Sequence, residues 1–228
     1  MCGRYTALFT WRQVWEMYQL IGSPPATERV PTYNLAPTQQ APVVILTPQG
    51  RSGESMRFGL VPFFAKGVAG PYSTINARIE TMTTSPSYRG PWRRAQRCLV
   101  LSSGFYEWQV LPDGKHKQPY FIKPADQEIF AMAGLWDESR PAEGPAIRSF
   151  TIITLPASPL MAQIHNSRQR EPAILAADNV DSWLAGGAEQ ALAALQPYPD
   201  DLLSVWPVST RVNSVRNDDA FLIEPKTE

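Results

Sequence analysis

Arg97-Cys98-Leu99-Val100-Leu101-Ser102-Ser103-Gly104-Phe105-Tyr106-Glu107-Trp108-Gln109-Val110 reads as two strands divided by small residues. Cys98 to Leu101 is an apolar, strand-sized run, Ser102-Ser103-Gly104 breaks or bulges it, and Phe105 to Val110 resumes it. Side chains alternate along a strand, so Glu107 shares a face with Phe105 and Gln109, while Tyr106 and Trp108 face the other way. Pro112-Asp113-Gly114 then marks a turn into a third strand, Pro119 to Lys123. The sequence thus opens on antiparallel β structure.

Further strands follow outward from this core: Ile129 to Trp136, Phe150 to Leu155 and Leu202 to Val208 downstream, Val43 to Leu46 and Glu54 to Val61 upstream, the last two with Gln49-Gly50 to Gly53 between them. Thr10 and Gln13 have capping-box spacing, and Trp11, Val14, Trp15 and Tyr18 recur at helical intervals up to Gly22-Ser-Pro-Pro. Short helices are expected over Pro159 to Ile164, with His165 at the end, over Asp178 to Leu184 and over Ala188 to Leu195. Pro31 to Gln40 reads as an extended loop and Thr74 to Thr84 has no clear period. With 22 prolines the chain favours short elements over a helix bundle. The expected fold is a single α+β domain over residues 1–228, mostly antiparallel strands curled into a partial barrel with flanking helices.

Composition narrows the function. The hydrophobic fraction of 43% fits a globular chain, and 21 basic residues balance 21 acidic ones, so a nucleic-acid site would have to be a local patch. The dense basic cluster is Arg89, Arg93, Arg94 and Arg97, which suits phosphates or a solvated face. Two cysteines, Cys2 and Cys98, provide neither a disulfide framework nor a four-cysteine zinc site. Cys98, between strand residues, reads as a small buried hydrophobe. With no signal-peptide pattern or membrane-length apolar run, a reducing cytoplasm is the expected compartment, and no metal, cofactor or membrane partner is expected.

Cys2 directly follows Met1. If Met1 is removed, Cys2 carries a thiol and a free α-amine on adjacent carbons. Unperturbed, these titrate near ~8.5 and ~8, so both are expected to be partly nucleophilic at neutral pH. An amine and a neighbouring thiol convert an aldehyde first to a Schiff base and then to a five-membered thiazolidine; alternatively the thiolate attacks an acyl group with the amine as base. Glu107, among aromatics, suits a group that takes and returns protons. His165 is the better proton-transfer histidine, because His116 sits in the polar turn. Asn76 is a candidate to hold the Cys2 amine through its side-chain oxygen, although loop asparagines more often satisfy turns. Arg4 and Arg78 suit phosphates, and Phe64 suits stacking on or wedging beside a base.

Together these blocks resemble the SOS-response-associated peptidase (SRAP) family of abasic-site processing proteins. The resemblance rests on Met1-Cys2-Gly3-Arg4-Tyr5, Tyr33-Asn34-Leu35-Ala36-Pro37, Phe58-Gly59-Leu60-Val61-Pro62, Asn76-Ala77-Arg78-Ile79-Glu80, Arg97 to Val100, Ser103 to Gln109, Ala133-Gly134-Leu135-Trp136, Phe150 to Thr154, and His165 beyond. It covers residues 1–175, while the C-terminal helices and last strand, 176–223, add little. It implies removal of Met1 with an associated autopeptidase activity, then capture of the ring-opened aldehyde of an abasic site in single-stranded DNA as a covalent thiazolidine, with an associated AP-lyase activity. Cys2, Asn76, Glu107, His165 and Thr154 are the implied catalytic set. Arg4, Asn34, Pro37, Phe64, Arg78 and Arg170 are the implied DNA contacts, with Arg168 the alternative to Arg170. Glu171 is expected to add negative charge near the DNA path. The implied protein is a monomer, nucleoid-associated when on DNA.

Two other classes remain open on residues alone. An N-terminal-cysteine hydrolase of amidotransferase type also begins Met-Cys-Gly, but needs an oxyanion hole and a glutamine-binding set not evident here. A non-covalent single-stranded-DNA-binding module would use the arginines and aromatics and dispense with Cys2.

Overall fold

The computed structural model describes residues 2–24, 29–68, 70 and 74–226. Among these, twelve strands and five short α-helices alternate with 3-10 turns. The strands are β1 (Tyr5–Ala7), β2 (Thr32–Leu35), β3 (Gln40–Thr47), β4 (Gly50–Phe58), β5 (Asn76–Arg78), β6 (Arg97–Ser102), β7 (Gly104–Val110), β8 (Lys117–Pro124), β9 (Phe130–Ser139), β10 (Ile147–Pro156), β11 (Arg170–Pro172) and β12 (Leu203–Pro207). The helices are α1 (Trp11–Tyr18), α2 (Arg89–Arg93), α3 (Pro159–Ile164), α4 (Val180–Leu184) and α5 (Ala188–Ala193).

The strands form two sheets. The first runs β12-β8-β7-β1-β2, and the second runs β11-β10-β4-β3-β6-β9 with β5 added to β10. In the second sheet β10 also pairs with β9, so the sheet turns back on itself. One edge of β10 carries β4 and then β5, the other β9 and then β11. The β4–β10 seam is only Ser149↔Arg57 and Phe150↔Phe58, so the sheet is partly ring-like and stops short of a barrel. The expected α+β class is therefore found, with the curl confined to one of two sheets.

Ser103 is the corner between them. β6 belongs to the second sheet and β7 to the first. The corner is fastened by Ser102 Oγ, which donates to Thr6 O at 3.2 Å and accepts from Gly104 N at 3.1 Å. A Cβ on Gly104 would meet the Phe121 ring at 2.0 Å, so the break needs a glycine for closeness of packing. Alternation then sends Phe105 into the large core and Tyr106 into a smaller one with Phe121, Val208, Val212 and Leu222. Glu107 therefore turns to the same side as Phe105. The large core contains Phe58 and Phe150 stacked at 5.3 Å, with Tyr5 edge-on to Phe58 at 5.5 Å. Each such buried aromatic contributes roughly 1.5–3 kcal/mol.

Several elements depart from expectation. The extended loop at Pro31 to Gln40 contains β2, and the unpatterned stretch at Thr74 to Thr84 contains β5. The β3–β4 hairpin is tighter than expected, with Thr47 opposite Gly50, so Arg51 to Gly53 are strand residues. β1, β2, β5 and β11 have three or four residues each, too few for a period to show; β1, β5 and β11 pair with the longer β7 and β10, and β2 pairs with β1.

Candidate active site

β1 lies antiparallel to β7 with Tyr5 opposite Phe105 and Thr6 opposite Gly104. Tyr106 N continues the ladder by donating to Arg4 O at 3.0 Å. Two residues further, this register brings the start of the chain to Glu107. Cys2 is there, at 0% exposure. From the second sheet Asn76 reaches across, its Nδ2 donating to the Cys2 carbonyl at 3.0 Å. Asn76 is itself fixed by β5–β10 pairing opposite Ile152 and by Tyr88 Oη, which donates to Asn76 O at 2.9 Å. Its Oδ1 is buried without a hydrogen-bond partner. The expected contact through the side-chain oxygen is thus made by the side-chain nitrogen, to the carbonyl. Met1 lies outside the described residues. While it is attached, the Cys2 nitrogen is an amide and not a nucleophile.

His165 closes α3. Ser158 caps the other end by accepting from Met161 N at 3.3 Å, and Pro159 takes the first turn, where its missing N–H costs nothing. The His165 ring is held by Nδ1, which donates to Arg170 O at 2.8 Å because a carbonyl only accepts. That leaves Nε2 facing Glu107 Oε2 at 3.7 Å, both groups buried. Burial first, and then the charge of Glu107, push the Cys2 thiol well above its usual range. The expectation of a partly ionised thiol at neutral pH is therefore corrected: it is a protonated S–H that needs a base as it reacts.

Above Glu107 and His165 opens a cleft of about 420 Å³, lined also by Ile75, Trp108, Lys117, Ser167 and Arg168. A larger hollow of about 710 Å³ beside α1, lined by Gln13, Glu16, Met17 and Asp126 among others, has no such chemistry. Lys117 and Arg168 are exposed cations on the rim of the first cleft. Sequence reasoning passed over Lys117 and Trp108 as cleft residues; alternation turns Trp108 to the strand face opposite Glu107, so no local signal marked it.

The expected DNA contacts divide. Arg78 and Phe64 are on the surface, Phe64 at 51% exposure beside an equally open Phe63, and Pro37 is half-buried. Asn34 is 1% exposed, and its Nδ2 donates to the carbonyls of Val212, Ser214 and Asn217. It is a fastening for the C-terminal segment, which corrects its expected place on the DNA surface. Arg4 is half-buried and is engaged on one arm, with Nη1 donating to Asn34 Oδ1 and Val212 O, both at 2.8 Å. Arg170 is buried, with Nη2 donating to Glu80 Oε2 at 2.9 Å and to Thr154 O at 2.7 Å, so its guanidinium is not presented to a ligand. Of the two candidate arginines, Arg168 is the exposed one. Thr154 is buried within that group and its hydroxyl accepts from Arg170 at 3.4 Å. Glu171 points inward, accepting from Ser158 N at 2.7 Å, and does not charge the surface. His116 stays in the exposed β7–β8 turn on Asp113.

Among the described residues, no three His, Cys, Asp or Glu side chains group to hold a metal ion, and no helix is long and apolar enough to cross a membrane.

The two-sheet α+β fold buries Cys2 against Asn76 and within reach of the charge of Glu107, whose carboxylate in turn faces the His165 imidazole. The chain belongs to the SOS response associated peptidase (SRAP) family, whose model matches residues 1–215. Abasic site processing protein YoqW of Bacillus subtilis (strain 168) is 36% identical over 227 residues, covering 98% of this chain and 99% of the relative. Abasic site processing protein HMCES of Gallus gallus is 35% identical, covering 86% of this chain and 66% of the longer relative. A solved protein of Bacteroides thetaiotaomicron shares the fold at a TM-score of 0.85 and 23% identity, covering 99% of this chain and 100% of that one.

Proposed function

We propose that this protein acts on abasic sites in single-stranded DNA and joins itself to them through Cys2 once Met1 has been removed. The observation that carries the reading is the burial of Cys2 on the Asn76 side chain and within reach of the charge of Glu107, which itself faces His165.

The chemistry balances without a cofactor. The freed α-amine adds to the aldehyde carbon of the ring-opened sugar. The resulting carbinolamine takes a proton on its oxygen and loses water to give an imine. The thiol sulfur then adds to the imine carbon, its proton leaves, and the nitrogen becomes the secondary amine of a thiazolidine. Glu107 takes the thiol proton, a role the raised thiol pKa calls for. His165 Nε2 shuttles protons for the carbinolamine oxygen and, in reverse, for opening the adduct. Asn76 fixes Cys2 by its carbonyl, with Oδ1 free to accept from the new amine. Thr154 supports this pocket by holding Arg170, which in turn presents the carbonyl that orients His165. Pinning both reactants supplies several kcal/mol of the barrier, up to roughly 7–11 in ideal cases.

Arg78, Arg168 and Lys117 contact phosphates, the unengaged arm of Arg4 adds to them, and Phe64 wedges beside the lesion. These contacts place the strand without reading its sequence. Self-removal of Met1 and an AP-lyase step use the same acid–base pair. A hydrolase working through a ready thiolate fits less well with a thiol held protonated by burial.

The test mixes the protein with a single-stranded oligonucleotide carrying one abasic site and separates the products on a denaturing gel. A shifted band is expected from wild type and none from Cys2→Ala. A stable band from the Cys2→Ala protein would remove the assignment.

A further inference from the structure

The mechanism leaves Arg97 unused, and its setting is unusual. It is 6% exposed; among the described residues no carboxylate pairs with it, and its side-chain hydrogen bond is Nη2 to Gly186 O at 2.6 Å. Nε is buried without a partner. The guanidinium caps a pair of touching indoles, 5.9 Å from the Trp92 ring and 5.8 Å from the Trp183 ring, whose centroids are 6.3 Å apart. A buried cation so poorly matched is costly unless an anion completes it. Arg97 lies at the floor of a cleft of about 430 Å³ between α2 and the α4–α5 turn, lined also by Trp92, Arg93, Gly186 and Ala188. Among the described residues the lining holds two arginines and no acid. Arg93 is exposed at the rim and Arg89 is exposed one turn back on α2.

We propose that this cleft is a phosphate-binding site, with the Arg97 guanidinium at its floor and Arg93 at its rim. A phosphate oxygen meets the arm of Arg97 that has no protein acceptor, and Arg93 neutralises the remaining charge. The geometry suits the fork of donors that arginine offers to phosphate. A phosphodiester of a DNA strand and a free phosphate monoester share this chemistry, and the test separates them.

The full chain is titrated with sodium phosphate at constant ionic strength, with chloride as balancing anion, while tryptophan fluorescence is followed. Trp92 lines the cleft and Trp183 packs against Arg97 beneath it, so a saturable change is expected. Arg93→Ala should weaken it about fivefold, as for loss of one exposed ionic contact. Arg97→Lys keeps the charge without the fork and should weaken it roughly tenfold or more. Should Arg97→Lys not fold, Arg93→Glu on an exposed side chain must abolish saturation. Lesion-free single-stranded DNA gives the same change if a phosphodiester is the occupant, and Arg93→Ala then lowers the salt slope of DNA binding by about 0.7. If a free monoester is the occupant, saturating DNA leaves the phosphate titration itself unaltered, whatever it does to Trp108 in the other cleft. A response linear in phosphate, reproduced by chloride, or unaltered in Arg93→Glu overturns the proposal.

Discussion

Asn76 Nδ2 donates to the Cys2 carbonyl oxygen at 3.0 Å, tying β5 of one sheet to a chain start that extends β1 of the other. Cys2, the residue proposed to react, is thus held by a bond between sheets and not by its own strand alone. Asn76→Ala removes that bond, and a displacement of even an ångström at a reacting centre costs heavily. Cross-linking to an abasic oligonucleotide should slow about 10–100-fold. Single-turnover rates measure this, with circular dichroism checking that the variant is folded.

Glu107 raises the thiol pKa by its charge and takes the thiol proton in the proposed reaction. Glu107→Gln removes both effects. The thiol should ionise at lower pH, since a negative neighbour no longer opposes the thiolate, yet cross-linking should slow because the base is gone. Thiol alkylation and cross-linking rates followed across pH 6 to 9 should move in opposite directions. If both rise together, Glu107 acts only through charge.

Arg168 and Arg170 should separate cleanly. Arg168→Ala loses one phosphate contact, so the salt slope of single-stranded DNA binding should fall by about 0.7 with little change in Tm. Arg170→Ala leaves the Thr154 carbonyl and Glu80 without their partner. The loss is about 1–3 kcal/mol, toward the lower end because Glu80 is half exposed. For a chain of this size that lowers Tm by roughly 3–10 °C. Thermal melts and salt titrations of both variants test the assignment.

Stability should fall in alkali. Burial raises the pKa of Cys2, Cys98 and Tyr5 in the folded chain. Their unfolded values stay near ~8.5 for the cysteines and ~10 for the tyrosine. With the folded pKa above the unfolded one, the contribution is intact below about pH 8 and declines as pH rises past each unfolded pKa, by up to about 1.4 kcal/mol per pH unit for each group. Urea midpoints between pH 7 and 10 measure it, and Cys98→Ala should reduce the slope.

Local signals were legible in the sequence. The Thr10–Gln13 capping box forms reciprocally, and α3 runs from Pro159 to Ile164 with His165 as its cap. Alternation placed Glu107 on the Phe105 side. Long-range pairings were not legible. Asn34 looks like a loop asparagine until the segment near Val212 folds onto it, a separation of 178 residues. Arg170 looks like a phosphate ligand until β11 pairs with β10 and turns it onto Glu80 and Thr154. The protonated thiol follows from burial of the chain start, which no local pattern encodes. The last fifty residues, uninformative as a motif, hold Arg4 and Asn34 in place.

The central claim is that a freed Cys2 amine and thiol together close on the abasic aldehyde. Intact-mass analysis of the purified cross-link tests it most directly. The account predicts protein lacking Met1 plus oligonucleotide minus one water, with the attachment mapped to the first residue and resistant to borohydride because no imine remains. A cross-linked chain that retains Met1, or an attachment mapped to a lysine such as Lys117, would contradict it.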